Sequence, residues 1–130
     1  RCGEEGVISA LLLTLALGLK PEPPDAYTVA RSEAMSKQKP LWVLVSGENC
    51  PPCRAVEREF LATIKTKGVF VHLDVEDARH KDLIVKWANG SVRVPMLIVY
   101  RVVKKQGKKY LRRQVLVGYG EIKAYMDGKP

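Results

Sequence analysis

The sequence predicts an α/β protein in which helices cover both faces of a central mixed sheet. Three observations lead to this prediction. Helix and strand signals alternate through the first half of the chain, which is typical of a parallel βαβ unit. Residues 41–45 form a continuous apolar run, as expected of a strand that is buried on both faces. The second half carries a hairpin signal followed by an amphipathic helix.

The first helix of this domain is expected to begin after Asp25, whose carboxylate can accept hydrogen bonds from the free N–H groups of a helix start. Pro40 closes the helical segment and bounds the apolar strand that follows. The side chains predicted to share the buried face of the helix recur at helical spacing. They are Tyr27, Ala30, Ala34 and Met35.

A second helix is predicted after the cysteines and is expected to end at Gly68. Its apolar stripe consists of Val56, Phe60, Leu61 and Ile64. Residues 69–75 then alternate as a strand does, and His72 falls on the face opposite the main apolar set. Residues 83–88 mark a short helix that ends near Gly90.

The C-terminal part of the chain is predicted to form a hairpin and a final helix. The hairpin strands are residues 96–103 and 109–117, and the turn between them is residues 104–107. The final amphipathic helix is marked by Ile122, Tyr125 and Met126. Added to the alternating first half, these elements complete a mixed sheet with helices on both faces.

The first 24 residues differ in composition from the rest of the 130-residue chain. Residues 1–24 contain an apolar run at 7–19 and then a proline-rich linker, and residues 25–130 form the α/β domain. A membrane-spanning helix takes about 20 residues, so this run is too short. We interpret it as a packed apolar helix. The alternatives are a remnant of an export or membrane segment and an element for self-association.

Two further expectations concern this region. Cys2 is interpreted as a free peripheral thiol, with an intermolecular disulfide as the alternative. A cytoplasmic location is favoured, and export or membrane tethering is the alternative if an upstream segment is missing.

The motif Cys50-Pro51-Pro52-Cys53 lies between the apolar strand and an amphipathic helix. The positive end of a helix favours a thiolate over a thiol, and the thiolate is the attacking species in disulfide exchange. Pro51 suits the first helical position because a missing N–H has little effect there. The motif therefore predicts redox chemistry.

Zinc binding and a purely structural disulfide are the other interpretations of this motif. A structural zinc site takes four ligands, and the remaining soft candidates, Cys2, His72 and His80, show no paired spacing. A bridge between cysteines three residues apart closes too small a loop to restrict the unfolded chain much. Both interpretations are disfavoured, and no metal site is predicted.

These features resemble the thioredoxin family over roughly residues 25–129. The resemblance rests on a Cys-x-x-Cys motif at a strand-to-helix junction, a β-Pro-β feature about 40 residues further on, and a closing strand, glycine and helix. The matching pieces are residues 41–53, 70–76, 92–95 and 115–118. The resemblance implies a thioredoxin-like three-layer α/β/α sandwich with a central mixed sheet.

The resemblance also implies roles for individual residues. Cys50 would be the nucleophile and Cys53 the resolving cysteine. Pro95 would be cis and would face the cysteine pair, and the backbone of Val94 would pair with the substrate. The substrate-facing set is then Val94, Pro51, Pro52 and Asn49.

The implied activity is thiol–disulfide exchange on protein disulfides. The implied partners are these substrates and an upstream reductase or oxidase. No cofactor is expected other than the redox-active disulfide of Cys50 and Cys53.

The chain also departs from the thioredoxin pattern. Asn49 replaces the usual aromatic residue before the first cysteine, and Leu44 replaces the buried acid six positions before it. The nearest match to the family's lysine on the next strand is His72. We therefore expect His72 to accept the proton of Cys53 during resolution, with water or an acid such as Glu48 or Glu57 as the alternatives.

The net charge of +8 is concentrated in residues 101–113, which contain seven basic residues and no acidic one. A soluble hairpin kept in solution by Lys and Arg is one interpretation. The other is a docking surface for an acidic protein or nucleic acid. In that second hypothesis the domain is an accessory module, because a fold by itself does not imply activity.

Overall fold

The computed structural model of the chain describes residues 23–129, which fold into one layered α/β unit. The elements in chain order are helix α1 (Ala26–Lys37), strand β1 (Leu41–Ser46), helix α2 (Pro51–Lys67), strand β2 (Val69–Asp74), a 3₁₀ turn (Ala78–His80), helix α3 (Lys81–Trp87), strand β3 (Met96–Lys105), strand β4 (Lys108–Val117) and helix α4 (Gly118–Met126). The predicted order of helices and strands is confirmed. The predictions for the apolar run 7–19 and for Cys2 lie outside the described residues.

The four strands form one mixed sheet in the order β2-β1-β3-β4. β1 runs parallel to β2 and antiparallel to β3, and β3 runs antiparallel to β4. All six residues of β1 are buried, as the continuous apolar run predicts. The predicted mixed sheet is therefore confirmed, with the apolar strand in its interior.

The core is divided by the sheet into two clusters, because successive side chains of a strand point to opposite faces. On one face Val43 and Val45 pack with residues of α1 and α3. On the other face Trp42 and Leu44 pack with residues of α2 and α4. This arrangement is the predicted three-layer sandwich. Within residues 23–129, no helix is both long and apolar enough to cross a membrane.

The start of α1 agrees with the prediction, but its buried face is narrower than predicted. The Thr28 N–H donates to the Asp25 carboxylate at 2.9 Å, so Asp25 is the N-cap. Ala30 and Ala34 are buried, whereas Met35 is 46% exposed. The prediction for Met35 is wrong because one residue step rotates a side chain by about 100° around a helix, away from the alanine face.

Gly68 ends α2 at a point where the backbone passes very close to Pro40. A Cβ on Gly68 would collide with the Pro40 carbonyl oxygen. The same oxygen accepts a hydrogen bond from the Val69 N–H at 2.9 Å, which starts the pairing of β1 with β2. The predicted helix stop is thus also the point where the parallel register begins.

The hairpin turn is shorter than predicted. Lys104 and Lys105 continue β3 and pair with Lys109 and Lys108, so the turn consists of residues 106–107 alone. Both turn residues have positive φ, 53° and 75°. Such two-residue turns match the right-handed twist of the strands they join. The predicted four-residue turn is therefore wrong, and two lysine pairs face each other across the ladder.

Candidate active site at the cysteine pair

Cys50 and Cys53 lie at the start of α2, directly beyond the carboxyl end of β1. Cys50 is the N-cap of the helix, and Pro51 and Pro52 occupy its first two positions. A disulfide joins the two cysteines, whose Cα atoms are 5.2 Å apart. Cys53 is fully buried and Cys50 is partly exposed. The pair thus has one accessible and one protected sulfur.

Backbone donors at this helix start are few because neither Pro51 nor Pro52 has an N–H. The Cys53 N–H donates to the Cys50 sulfur over 3.2 Å. Since Pro51 and Pro52 have no N–H, this is the first backbone donor after Cys50. It would also stabilise a Cys50 thiolate, together with the positive end of the helix.

Asn49 gives the loop before Cys50 its shape. Its φ is 53°, in the left-handed region where Asn is enriched over most residues. Arg54 holds the same loop by donating to the Gly47 carbonyl oxygen at 2.8 Å. The sequence departure at Asn49 therefore has a backbone reason, which composition and spacing do not reveal.

The second loop of the site carries the Val94–Pro95 peptide bond, which is cis. Pro95 is buried, and its carbonyl oxygen accepts a hydrogen bond from the Gly118 N–H at 2.8 Å. A Cβ on Gly47 would lie 3.3 Å from Cγ2 of Val94. The Val94 loop therefore packs against the loop that leads into Cys50. Direct contact of Pro95 with Cys50 stays a prediction.

His72 lies on β2, directly beside Leu44 of β1. Its side chain is 39% exposed. Its Nε2 lies 2.8 Å from the Ser46 hydroxyl and 3.4 Å from Oε1 of Glu57. Partial burial lowers the pKa of His72 below the usual 6.5, and the Glu57 carboxylate opposes that shift. His72 is therefore partnered by a carboxylate, which the sequence reasoning named only as an alternative proton acceptor.

Glu57 reaches this position from α2, one helical turn after Cys53. Its Oε2 lies 3.0 Å from Nη1 of Arg54, and its side chain is 18% exposed. Its Oε1 is buried and makes no hydrogen bond within residues 23–129. We call Ser46, Arg54, Glu57 and His72 the Glu57 cluster. The four-residue spacing between Cys53 and Glu57 places both residues on one face of the helix, a signal that the sequence reasoning did not use.

No protein-family model matches the sequence, and no curated protein matches it at a significant level. Among solved structures, a thioredoxin from Thermus thermophilus is 17% identical at a TM-score of 0.58, covering 78% of this chain and 79% of its own. A poplar thioredoxin h is 17% identical at 0.55, covering 78% and 83%.

A Plasmodium falciparum thioredoxin is also similar, at 16% identity and a TM-score of 0.54, with 82% of this chain and 84% of its own covered. The chain has the thioredoxin fold. At these identities the likeness establishes the architecture, and the chemistry has to be argued from the chain's own site. The fold class implied by the sequence resemblance is confirmed.

The thioredoxin fold accommodates a different charge arrangement in this chain. Leu44 is fully buried in the core between the sheet and the helices α2 and α4. No carboxylate therefore comes from β1 at that position. The carboxylate of Glu57 comes from α2, and its Oε1 lies 3.4 Å from Nε2 of His72 on β2. Of the predicted acceptors, the structure brings His72 and Glu57 together.

His80 is a buried residue to which the sequence reasoning gave no function. It is 5% exposed, with its two ring nitrogens 3.4 Å from Asp25 and 3.5 Å from Asp77. A hydrogen bond from the Thr28 N–H lowers the pKa of Asp25, and hydrogen bonds from Arg79 lower the pKa of Asp77 to about 2. His80 thus lies between the start of α1 and the 3₁₀ turn, and neither of its ring nitrogens makes a hydrogen bond within residues 23–129. Residues 23–129 contain no group of three or more His, Cys, Asp or Glu placed to hold a metal ion.

Proposed function

We propose that this protein catalyses thiol–disulfide exchange on protein disulfides, with Cys50 as the nucleophile and Cys53 as the resolving cysteine. One observation carries the proposal: a partly exposed cysteine at a helix start is bonded to a fully buried cysteine one turn into the helix. An incoming disulfide can approach Cys50 but not Cys53. The two sulfurs thereby have different access, as the two steps of exchange require.

The reaction begins from the dithiol form of the pair. The Cys50 thiolate attacks one sulfur of the substrate disulfide, so a mixed disulfide forms and the other substrate sulfur leaves as a thiolate that takes up a proton. Cys53 then loses its proton and attacks the Cys50 sulfur, which releases the second substrate thiolate. Two electrons have passed to the substrate, and the Cys50–Cys53 disulfide is the oxidised product. A dithiol reductant returns the pair to its starting state.

Burial of Cys53 makes its deprotonation the demanding part of the second step, because burial disfavours the charged form of a thiol. The Glu57 cluster supports a route for this proton. Glu57 lies one turn along α2 from Cys53, and its buried Oε1 is close to Nε2 of His72. We propose that Glu57 and His72 together accept the proton, directly or through a water.

Substrate contact is assigned to the exposed rim around Cys50. Pro51 and Pro52 are exposed beside it, Asn49 precedes it, and Val94 packs on the neighbouring Gly47. The backbone of Val94 is proposed to pair with an extended substrate segment. The buried Pro95, with its cis peptide bond, sets the conformation of this loop. The upstream partner is a protein dithiol or disulfide that resets the cysteine pair.

Reduction of insulin disulfides in the presence of dithiothreitol tests the proposed activity. The wild-type chain should accelerate insulin precipitation, and the Cys50→Ser and Cys53→Ser variants should each lose this acceleration. Cys2→Ser is the matched control, since it removes a thiol outside the pair and should keep full activity. A wild-type rate equal to that of Cys50→Ser would refute the proposal.

A further inference from the structure

The basic hairpin lies at the end of the sheet opposite the cysteine pair. β1 pairs with β3 only as far as the pair Leu41 and Tyr100, so the hairpin residues beyond Tyr100 extend past β1. Cys50 follows the other end of β1, after Ser46. A partner that binds the hairpin would therefore leave the cysteine pair open.

Like charges face each other along this hairpin. Lys104 pairs with Lys109, and Lys105 pairs with Lys108. Like charges directly opposite one another destabilise a sheet. The side chains of these four lysines make no hydrogen bond or ion pair within residues 23–129. The repulsion is thus uncompensated inside the described domain.

The positive charges project from both faces of the two-stranded ribbon. Directly paired residues share a face, and neighbours along a strand alternate between faces. Lys104, Lys109 and Arg113 therefore share one face, and Lys105, Lys108 and Arg112 share the other. A polyanion lying flat on the ribbon would meet only one of these two sets.

Among the described residues 23–129, β4 is an edge strand, because its one strand partner there is β3. Alternate N–H and C=O groups of an edge strand point outward and can pair with a further strand. Residues 108–113 are exposed apart from Leu111, which is partly buried. Lysines on such an edge discourage pairing with neutral strands and leave an acidic strand as the favoured partner.

We propose that β4 binds an extended acidic segment of a partner protein as a fifth strand of the sheet. The side chains of an added strand alternate between the two faces, so consecutive acidic residues would meet both sets of positive charges. The complement of Lys108-Lys109-Tyr110-Leu111-Arg112-Arg113 is acidic, acidic, apolar, apolar, acidic, acidic. This pattern reads the same in both directions, so it fits a parallel or an antiparallel strand. The proposal does not depend on the proposed redox function.

Binding is measured by fluorescence anisotropy with the full chain and a labelled peptide containing Glu-Glu-Val-Val-Glu-Glu. The comparison peptide contains Glu-Val-Glu-Glu-Val-Glu, which has the same composition but sets apolar residues against cations. The first peptide should bind about tenfold more tightly, because only its order matches all the cross-strand pairs. Two further versions of each peptide carry methyl groups on alternate backbone nitrogens, one version at the odd positions and the other at the even positions. The preference for the first peptide should be lost only in the version that methylates the N–H groups facing β4.

Variants of the chain complete the experiment. Lys109→Glu with Arg112→Glu should weaken binding of the first peptide by about tenfold or more. Lys67→Glu with Lys86→Glu makes the same charge change on exposed helix positions and should leave binding unchanged. The hairpin variant should keep wild-type reduction of a small neutral disulfide, so that failure of docking is distinguishable from failure of the redox proposal.

Other results would overturn the proposal. Equal binding of the two peptides would indicate that the charges attract each other without strand addition. The same conclusion would follow if neither methylated version changed the binding. Tighter binding of a single-stranded oligonucleotide of equal charge would assign the hairpin to nucleic acid. Tighter binding of phosphatidylserine vesicles would assign it to an anionic membrane. Absence of peptide binding at low salt would leave a solvated hairpin.

Discussion

The two halves of β3 lie on one continuous strand but in opposite environments. The first half begins directly after the Val94 loop of the candidate active site. Its residues Met96, Leu97 and Ile98 are fully buried. Val103 is 37% exposed, and the lysines after it are exposed. The first half is held between two layers of helices, whereas the second half has β4 as its one strand partner within residues 23–129. One strand therefore supports the cysteine site with buried side chains at one end and presents an exposed surface at the other.

The charges at the two ends differ in the same way. At the cysteine end, Arg54 forms an ion pair with Glu57 and donates a hydrogen bond to the Gly47 carbonyl oxygen. A charge with a partner of opposite sign thus holds the loop in place. At the hairpin end, Lys104 and Lys109 face each other with no acid between them. Paired charges orient a site, while unpaired like charges favour an external partner of opposite charge.

The largest expected effect is a difference in the free energy of unfolding when a valine is truncated in one half of β3 or in the other. Val99 is 1% exposed and Val103 is 37% exposed, and both point to the same face of the strand. Val99→Ala should lower the free energy of unfolding by about 2–3 kcal/mol, because it leaves a cavity in the core. Val103→Ala should change it by less than about 0.5 kcal/mol. Urea unfolding measures both, and equal losses would mean that the hairpin is as tightly packed as the core.

The next effect tests the Glu57 cluster. Glu57→Gln and His72→Ala should each slow resolution of the mixed disulfide by about tenfold, while the attack of Cys50 keeps its rate. Stopped-flow exchange with a labelled disulfide peptide across a range of pH follows the two steps separately. Lys67→Gln, which changes an exposed charge at the far end of the same helix, is the control. If both variants resolve at the wild-type rate with an unchanged pH profile, the proton goes to water instead.

A smaller effect tests the repulsion in the hairpin. Lys109→Glu places an acid opposite Lys104 and should raise the free energy of unfolding by about 0.5 kcal/mol at low salt. Added salt should reduce this gain, because it screens exposed charges. Arg93→Glu is the matched control, with the same charge change at an exposed loop position. Equal stabilisation by the two variants would indicate a general effect of net charge, without any contribution from the facing lysines.

The smallest effect concerns pH. The pKa of His72 is lowered below 6.5 in the folded state, chiefly by burial. Below pH 6.5 the unfolded chain therefore binds more protons at this residue, so its contribution to stability falls as the pH falls. His72→Gln should make the decline of Tm between about pH 6.5 and pH 5 slightly shallower. A steeper decline in the variant would mean that protonated His72 stabilises the fold through Glu57.

Several elements followed from local patterns in the sequence. Asp25 at the head of α1, the apolar run of β1 and the glycine after α2 each depend on neighbouring residues, and the structure has all three. The exposure of Met35 and the length of the hairpin turn did not follow. The turn length depends on how far the two strands continue, and the exposure of Met35 depends on which face of α1 packs on the sheet.

The sequence alone was sufficient to identify the cysteine pair and its place at a strand-to-helix junction, because these are properties of consecutive residues, and the thioredoxin fold followed from the resemblance of several such segments to that family. The partners of the pair required the folded chain. Glu57 and His72 are fifteen positions apart in the sequence, and only the packing of α2 on the sheet brings their side chains within 3.4 Å. The exposed edge of β4 likewise follows from the strand order of the described domain, in which β4 is the last strand and lies beside β3. Long-range packing decides such contacts, since residues far apart in sequence meet only when the layers assemble.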